Sequence, residues 1–225
     1  MGLFLQPLFI FTMSSIAAIR KDYKQQTLHE RDVAADPITQ FERWWSDAVA
    51  SEIDEVNAMA LATAGADGRP SARIVLLKAV NAGGFVFFTN YNSHKGQQIA
   101  ENPFASLCFF WKELERQVRI EGAIEKISEA ASDEYFESRP AGSRIGAWAS
   151  PQSSVIASRE AIETNVIALE KKYANQKIER PPHWGGYILK PTMVEFWQGR
   201  PSRLHDRIRY STPEESGWII ERLAP

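Results

Sequence analysis

Between Ala58 and Ile127 the chain is cut into short β-like runs, and after a helical stretch such runs resume at Trp184 and continue to Leu223. Strands on both sides of a helical insert, without strand–helix–strand alternation, leave little room for a parallel sheet. They predict a mainly β fold with flanking helices, in which an antiparallel barrel carries the helices outside it. Ala58–Thr63 and Ser71–Lys78 read as a hairpin, because Asp67-Gly68 supplies the positive φ that such a turn needs. Phe85–Thr89 follows closely enough to imply a three-stranded meander. Phe104–Trp111 and Arg116–Ile127 add two strands, and Trp184–Lys190, Val194–Gly199, Arg203–Tyr210 and Trp218–Leu223 complete the set.

The helices carry their own signals. Asp36-Pro37 is an N-cap followed by a proline at the first helical position, with Phe41, Trp44, Trp45, Ala48 and Val49 as the apolar stripe. Lys95–Asn102 is a short helix stopped by Pro103. Ser128 or Ser132 caps a helix that ends before Pro140, and Ser158 caps a longer one. In the latter, Ile162, Val166, Leu169 and Tyr173 predict a buried stripe. The division expected is an extension and mobile arm over 1–35, then a single domain over 36–225 with a helical insert at about 128–180. Residues 1–13 are apolar but too short to span a bilayer and interrupted by Pro7, and they read as a disordered extension with Met13 as the true start. The small residues Ser14–Ala18 leave a signal sequence open.

A formal net charge of −2 and a pI near 6.1 give no general attraction for nucleic acid. The single cysteine, Cys108, excludes an internal disulfide, reads as a small buried thiol and fits a cytoplasmic location. His29, His94, His183 and His205 are scattered, so no metal-ligand spacing appears. Dinucleotide, Walker and nucleophile-elbow motifs are also missing, so difficult chemistry would have to come from an organic cofactor.

Chemistry-bearing residues concentrate in Glu195-Phe-Trp-Gln-Gly-Arg-Pro-Ser-Arg-Leu-His-Asp-Arg207. As an extended strand, this segment puts Arg203, His205 and Arg207 on one face, a pattern suited to an anionic planar ligand. A solvated edge strand with ion pairs to Asp206 fits the spacing equally. Further cations and hydroxyls stand at strand ends. Arg73, Val75 and Leu77 alternate with their neighbours up to Lys78, and Thr89 and Ser93-His94-Lys95 at a helix start could hold a phosphate.

These motifs together resemble the pyridoxamine 5′-phosphate oxidase family, from about Arg20 to the terminal Arg222-Leu223-Ala224-Pro225. The resemblance implies an FMN-binding split β-barrel that oxidises pyridoxamine or pyridoxine 5′-phosphate to pyridoxal 5′-phosphate, with oxygen as acceptor and hydrogen peroxide released. It implies FMN contacts from Arg73, Ile74, Val75, Leu76, Leu77, Lys78, Phe88, Thr89, His94, Lys95, Gln117, Gln152, Ser153, Trp197 and Arg207. The FMN is expected at the interface of a homodimer. Substrate contacts are implied for Arg20 and Tyr23 on the arm, for Lys78, Tyr135, Arg139 and Ser143 around the phosphate, and for Arg203, Leu204 and His205 over the pyridine ring. Arg203 and His205 are the implied catalytic pair. His94 departs from the usual arginine, and residues 1–13 have no counterpart. Neither a membrane nor nucleic acid is expected as a partner. A related split-barrel flavin oxidase on another aromatic substrate, or a flavin- or vitamer-binding protein without turnover, would share much of this pattern. The preference between amine and alcohol, and any second product site, are not legible in the sequence.

Overall fold

The computed structural model describes residues 18, 21–81, 83–212 and 217–225. The extension over 1–13 and Arg20 lie outside the described residues. Helix α1 (Pro37–Ala50) begins as its sequence dictates: the Asp36 carboxylate accepts the Thr39 N–H at 2.8 Å, and Pro37 occupies the first turn. Phe41, Trp44 and Ala48 are buried, whereas Val49, expected in the same stripe, is 51% exposed.

Strands β1 (Ala58–Ala64) and β2 (Pro70–Leu76) form the expected hairpin around Gly68, whose φ is 73°. They are followed by β3 (Ala79–Asn81), β4 (Gly84–Asn90), helix α2 (His94–Glu101), β5 (Phe104–Trp111) and β6 (Arg116–Lys126). Helices α3 (Glu129–Ser138), α4 (Ala141–Ala149) and α5 (Arg159–Tyr173) come next, then β7 (Trp184–Gln198), β8 (Asp206–Ser211) and β9 (Ile219–Arg222). All join one nine-stranded sheet of order β2-β1-β5-β6-β7-β4-β3, with β8 on β7 and β9 on β8. Every pairing is antiparallel.

The predicted meander does not form. β4 pairs with the short β3 and with β7, while β1 takes β5 as its second neighbour. Trp184–Lys190 and Val194–Gly199 are likewise one strand, β7, running through Pro191. The first half of β7 pairs with β4 and the second half with β8, while β6 stays alongside both. Pro191 falls where β4 has left and β8 has not begun, so its missing N–H breaks no ladder on that side. Opposite it, β6 shifts register at Glu121/Gly122, and a Cβ on Gly122 would sit 1.9 Å from the Lys190 carbonyl oxygen. On either side of this fork, β2 and β4 wall one concavity and the β7–β8 connection walls another.

Inside the barrel Met59, Leu61, Phe85, Phe87, Leu107, Phe109, Val118, Ile120, Phe196 and Tyr210 are at most 1% exposed, and α1 closes over them through Phe41 and Trp44. A second, smaller cluster of Phe136, Ile145, Ile178 and Trp184 holds the helical insert. Helix α5 buries no residue fully, so its expected core stripe is only half-covered. Cys108 lies on the sheet face away from the core and is half-buried rather than enclosed. No helix among the described residues is long and apolar enough to cross a membrane.

The segment expected to be a mobile arm is strapped to the barrel from Lys24 onward. Buried Glu115 accepts the Lys24 and Gln25 N–H groups at 2.8 and 3.2 Å, and Asp206 accepts the Leu28 N–H at 3.1 Å. The Tyr210 hydroxyl then donates to the Ala34 carbonyl at 2.6 Å. A polar sequence without periodicity hid these anchors, because each lies 90 or more residues away in the chain.

Candidate functional site

The larger concavity, about 890 Å³, opens between β2, β4, α2 and the helical insert. Among the described residues its walls carry Arg73, Lys78, Lys95 and Arg139 and no carboxylate. Lys95 is 9% exposed, and its ammonium finds only neutral oxygens: Thr89 Oγ1 at 3.2 Å, Gln152 Oε1 at 3.2 Å and Ser93 Oγ at 3.3 Å. Burial, and then the nearby Arg73 guanidinium, push the Lys95 pKa below its usual value. Ser93 caps α2, so free backbone N–H groups face the same corner.

Arg139 closes the other side. Its guanidinium lies 4.5 Å from the centroid of the Trp184 ring, and its buried Nη1 has no hydrogen-bond partner among the described residues. An orphaned charged donor facing a cavity points to an anionic ligand. Burial depresses its pKa as well. Beside it Phe88 and Tyr135 stack at 3.9 Å, with the Trp184 ring nearly parallel to both, giving an aromatic wall.

Of the residues predicted from sequence, Arg73, Ile74, Val75, Leu76, Lys78, Phe88, Thr89 and Lys95 line this cavity. So do Tyr135, Arg139, Ser143, Gln152 and Ser153. Leu77 does not: it is 6% exposed and faces the barrel core. His94 is exposed on the outer side of α2 and is not among the lining residues. Helix α4, which carries Ser143, was missed altogether, since Pro140 precedes it without a side-chain cap and Gly142 and Gly146 dilute its pattern.

A second concavity, about 480 Å³, lies at the β7–β8 connection and is lined by Lys21, Asp22, Tyr23, Arg200, Ser202, Arg203 and His205. The expected strand over Arg203–Tyr210 begins only at Asp206. Pro201–Arg203 instead forms a 3₁₀ turn, with φ of 56° at Ser202 and 63° at Arg203. Arg203, His205 and Arg207 therefore do not share one strand face; Arg203 and His205 meet through the turn, and Leu204 is 68% exposed. The Arg200 N–H donates to His205 Nδ1 at 3.1 Å, so a neutral His205 carries its proton on Nε2. Burial and then Arg203 lower the His205 pKa, favouring that neutral form. The imidazole sits 4.5 Å from the Trp197 ring, and Tyr23 contacts both rings.

Gln117, Trp197 and Arg207 occupy neither cavity lining. They are direct cross-strand partners on β6, β7 and β8, forming one row on the outward face of the sheet. Arg207 is held by buried Glu195 at 2.7 and 3.1 Å and by the Ala224 carbonyl at 2.8 Å. Within one chain, then, most of the predicted residues fall into two cavities that share no lining residue, plus one outward row, while Leu77, His94 and Leu204 belong to none of these. No cluster of three or more metal-ligating side chains is found among the described residues.

Residues 46–173 match the family model described as pyridoxamine 5′-phosphate oxidase, and residues 184–225 match the pyridoxine 5′-phosphate oxidase C-terminal dimerisation region. A pyridoxine/pyridoxamine 5′-phosphate oxidase from Cyanothece sp. is 56% identical over 94% of this chain and 99% of its own length. One from Burkholderia cenocepacia is 57% identical over 95% of this chain and 100% of its own. Among solved structures, PhzG from Burkholderia lata 383, in complex with tetrahydrophenazine-1-carboxylic acid, superposes with a TM-score of 0.83 at 32% identity, covering 89% of this chain and 98% of that one. A pyridoxamine 5′-phosphate oxidase-related, FMN-binding protein from Nostoc punctiforme shares the fold, with a TM-score of 0.66 at 20% identity, covering 82% of this chain and 97% of its own.

Proposed function

The chain belongs to the pyridoxamine 5′-phosphate oxidase family, and on that premise we propose that it is an FMN-dependent oxidase of pyridoxamine or pyridoxine 5′-phosphate. The product would be pyridoxal 5′-phosphate, with oxygen reduced to hydrogen peroxide and, from the amine, water taken up and ammonia released. The observation that carries this reading is the cavity walled by Arg73, Lys78, Lys95 and Arg139 without a carboxylate. Such a wall is repulsive to itself until anions enter, and two phosphorylated aromatic molecules would supply them. The buried donor set of Lys95, Thr89 and the capped start of α2 fits the FMN phosphate. Lys78, Tyr135, Arg139 and Ser143 fit the substrate phosphate, with the orphaned Arg139 Nη1 waiting for an acceptor.

FMN, when bound, supplies two-electron oxidation of the carbon bearing the amine or hydroxyl, with oxygen as the final acceptor. The chain's own residues hold and aim the substrate. Anchoring by Arg139 and its neighbours fixes the phosphate end, which restricts the reacting carbon to one approach. His205, protonated on Nε2, would donate a hydrogen bond to the pyridine substituents, while Arg203 covers the ring.

Because these groups lie in different cavities of one chain, a complete site requires two copies. The proposed homodimer would bring the outward row Gln117–Trp197–Arg207 and the His205 turn of one subunit to the cationic cavity of the other. The dimerisation-region match covers Trp197, His205 and Arg207, which supports that arrangement. Residues 36–225 would then act as one domain, in the cytoplasm.

The likeness to PhzG favours one rival, a related oxidase acting on a larger aromatic acid. Purified protein should show flavin absorbance and release peroxide on adding pyridoxine or pyridoxamine 5′-phosphate. A colourless protein, or a yellow one that ignores both vitamers, would overturn the proposal.

A further inference from the structure

Among the described residues Arg73 has no acidic partner. Its Nη1 donates to the Leu61 carbonyl at 3.0 Å and to Thr63 Oγ1 at 2.6 Å, and its Nη2 donates to Ser71 Oγ. Arginine can only donate, so each hydroxyl accepts from it and must pass its own proton onward. Both protons end on one atom, because Thr63 Oγ1 and Ser71 Oγ each lie 2.6 Å from Gln98 Oε1. Arg73 Nη2 is itself 3.4 Å from that oxygen. Gln98 is 7% exposed and Thr63 3%, so water does not compete freely for these bonds. Gln98 also stands one turn beyond Lys95 on α2, so a single helix presents Lys95 to the cavity and an acceptor to the network behind Arg73.

We propose that Gln98 is a positioning residue: it aims Arg73 at the cofactor phosphate through Thr63 and Ser71 while leaving the guanidinium charge uncancelled. This role rests on FMN being the occupant proposed above. The neutrality of the acceptor is the essential feature. A glutamate at 98 would accept the same bonds but place an anion beside Arg73, pairing off the cation that the phosphate needs. A leucine would leave the buried Thr63 hydroxyl and the half-buried Ser71 hydroxyl without that acceptor and Arg73 free to turn away.

The test compares FMN with riboflavin, which has the same ring and no phosphate, on full-length protein freed of flavin. Fluorescence quenching gives both affinities for the parent, Gln98→Glu and Gln98→Leu. Each variant should lose about tenfold or more in FMN affinity, equivalent to about 1.4 kcal/mol, while riboflavin affinity stays within about twofold. In an Arg73→Ala background, Gln98→Glu should change FMN affinity by less than about twofold, as expected when one residue acts through the other. Gln98→Glu keeps every acceptor and serves as the readout if the leucine variant does not fold. FMN binding by Gln98→Glu equal to that of the parent overturns the proposal, as does an equal loss for riboflavin, which would mark a merely structural role. A parent that binds neither flavin overturns the cofactor assignment itself, and this role with it.

Discussion

The contact between Gly199 and Tyr23 offers a sharp test of how the strapped segment serves the site. A Cβ on Gly199 would lie 2.7 Å from Tyr23 Cγ and 2.8 Å from its Cβ and Cδ2. Those atoms are at the root of the Tyr23 side chain, so relief requires moving the segment rather than rotating a ring. The φ of Gly199 is not positive, and Gly199→Ala therefore strains no backbone of its own. The substitution should displace Tyr23 from Trp197, 5.8 Å away, and from His205, 6.0 Å away. Aromatic pairs contribute roughly 0.5–1.5 kcal/mol each, and two half-exposed ones should give about 1–2 kcal/mol together. If that energy holds Tyr23 over the substrate, kcat/KM for pyridoxine 5′-phosphate should fall roughly 5- to 30-fold. FMN retention should change far less, since the Lys95–Thr89 corner that fits the phosphate lies in the other cavity. Tryptic cleavage after Lys21 and Lys24 should quicken, although Glu115 still holds the Lys24 and Gln25 N–H groups. In a Tyr23→Ala background the alanine at 199 should be nearly silent. Unchanged kcat/KM together with unchanged protease protection would refute this account of Tyr23.

Three further outcomes follow from the same geometry. Arg139→Ala and His205→Ala should each abolish most turnover, yet refolding them together should restore about a quarter of the sites if the two cavities meet across a two-fold interface; no recovery would show that one chain supplies both groups. Because burial and Arg203 hold the His205 pKa below the ordinary 6.5, the Arg200–His205 bond is intact at neutral pH and above and is lost as pH falls through the lowered value. The acid limb of kcat/KM should therefore have its midpoint under 6.5 and disappear in His205→Asn, and a limb that persists there belongs to another group. Tyr210→Phe leaves the Ala34 carbonyl without its 2.6 Å donor in a fully buried setting, so urea unfolding should show a loss of about 1–2 kcal/mol with an unchanged m-value.

What the sequence disclosed and what it withheld divide along the range of the interactions. Alternation and turn chemistry are local, so Asp67-Gly68 identified its hairpin and β5 was readable to the residue. The pairing of β4 with β7 joins segments about a hundred residues apart and leaves no local trace, so adjacency in sequence suggested a meander instead. The expected gap between Trp184–Lys190 and Val194–Gly199 closes for a related reason: the missing N–H of Pro191 matters only if a neighbouring strand needs it, and the fork in the sheet removes that need. The left-handed Ser202 and Arg203 defeated the alternation rule in the very segment richest in chemistry.

The site shows the same division at the level of side chains. Cations and hydroxyls at strand ends stood out as candidate ligand groups only in combination, since each alone fits ordinary surface charge. Gln98 and Trp184 did not stand out, because an amide on a helix and an aromatic at a strand start are ordinary until a guanidinium is found resting on each. Their functions are defined by what they do to Arg73 and Arg139, and only three-dimensional proximity reveals that. A cationic cavity without carboxylates needs such neutral supports, since an acidic one would neutralise the charge that attracts the ligand.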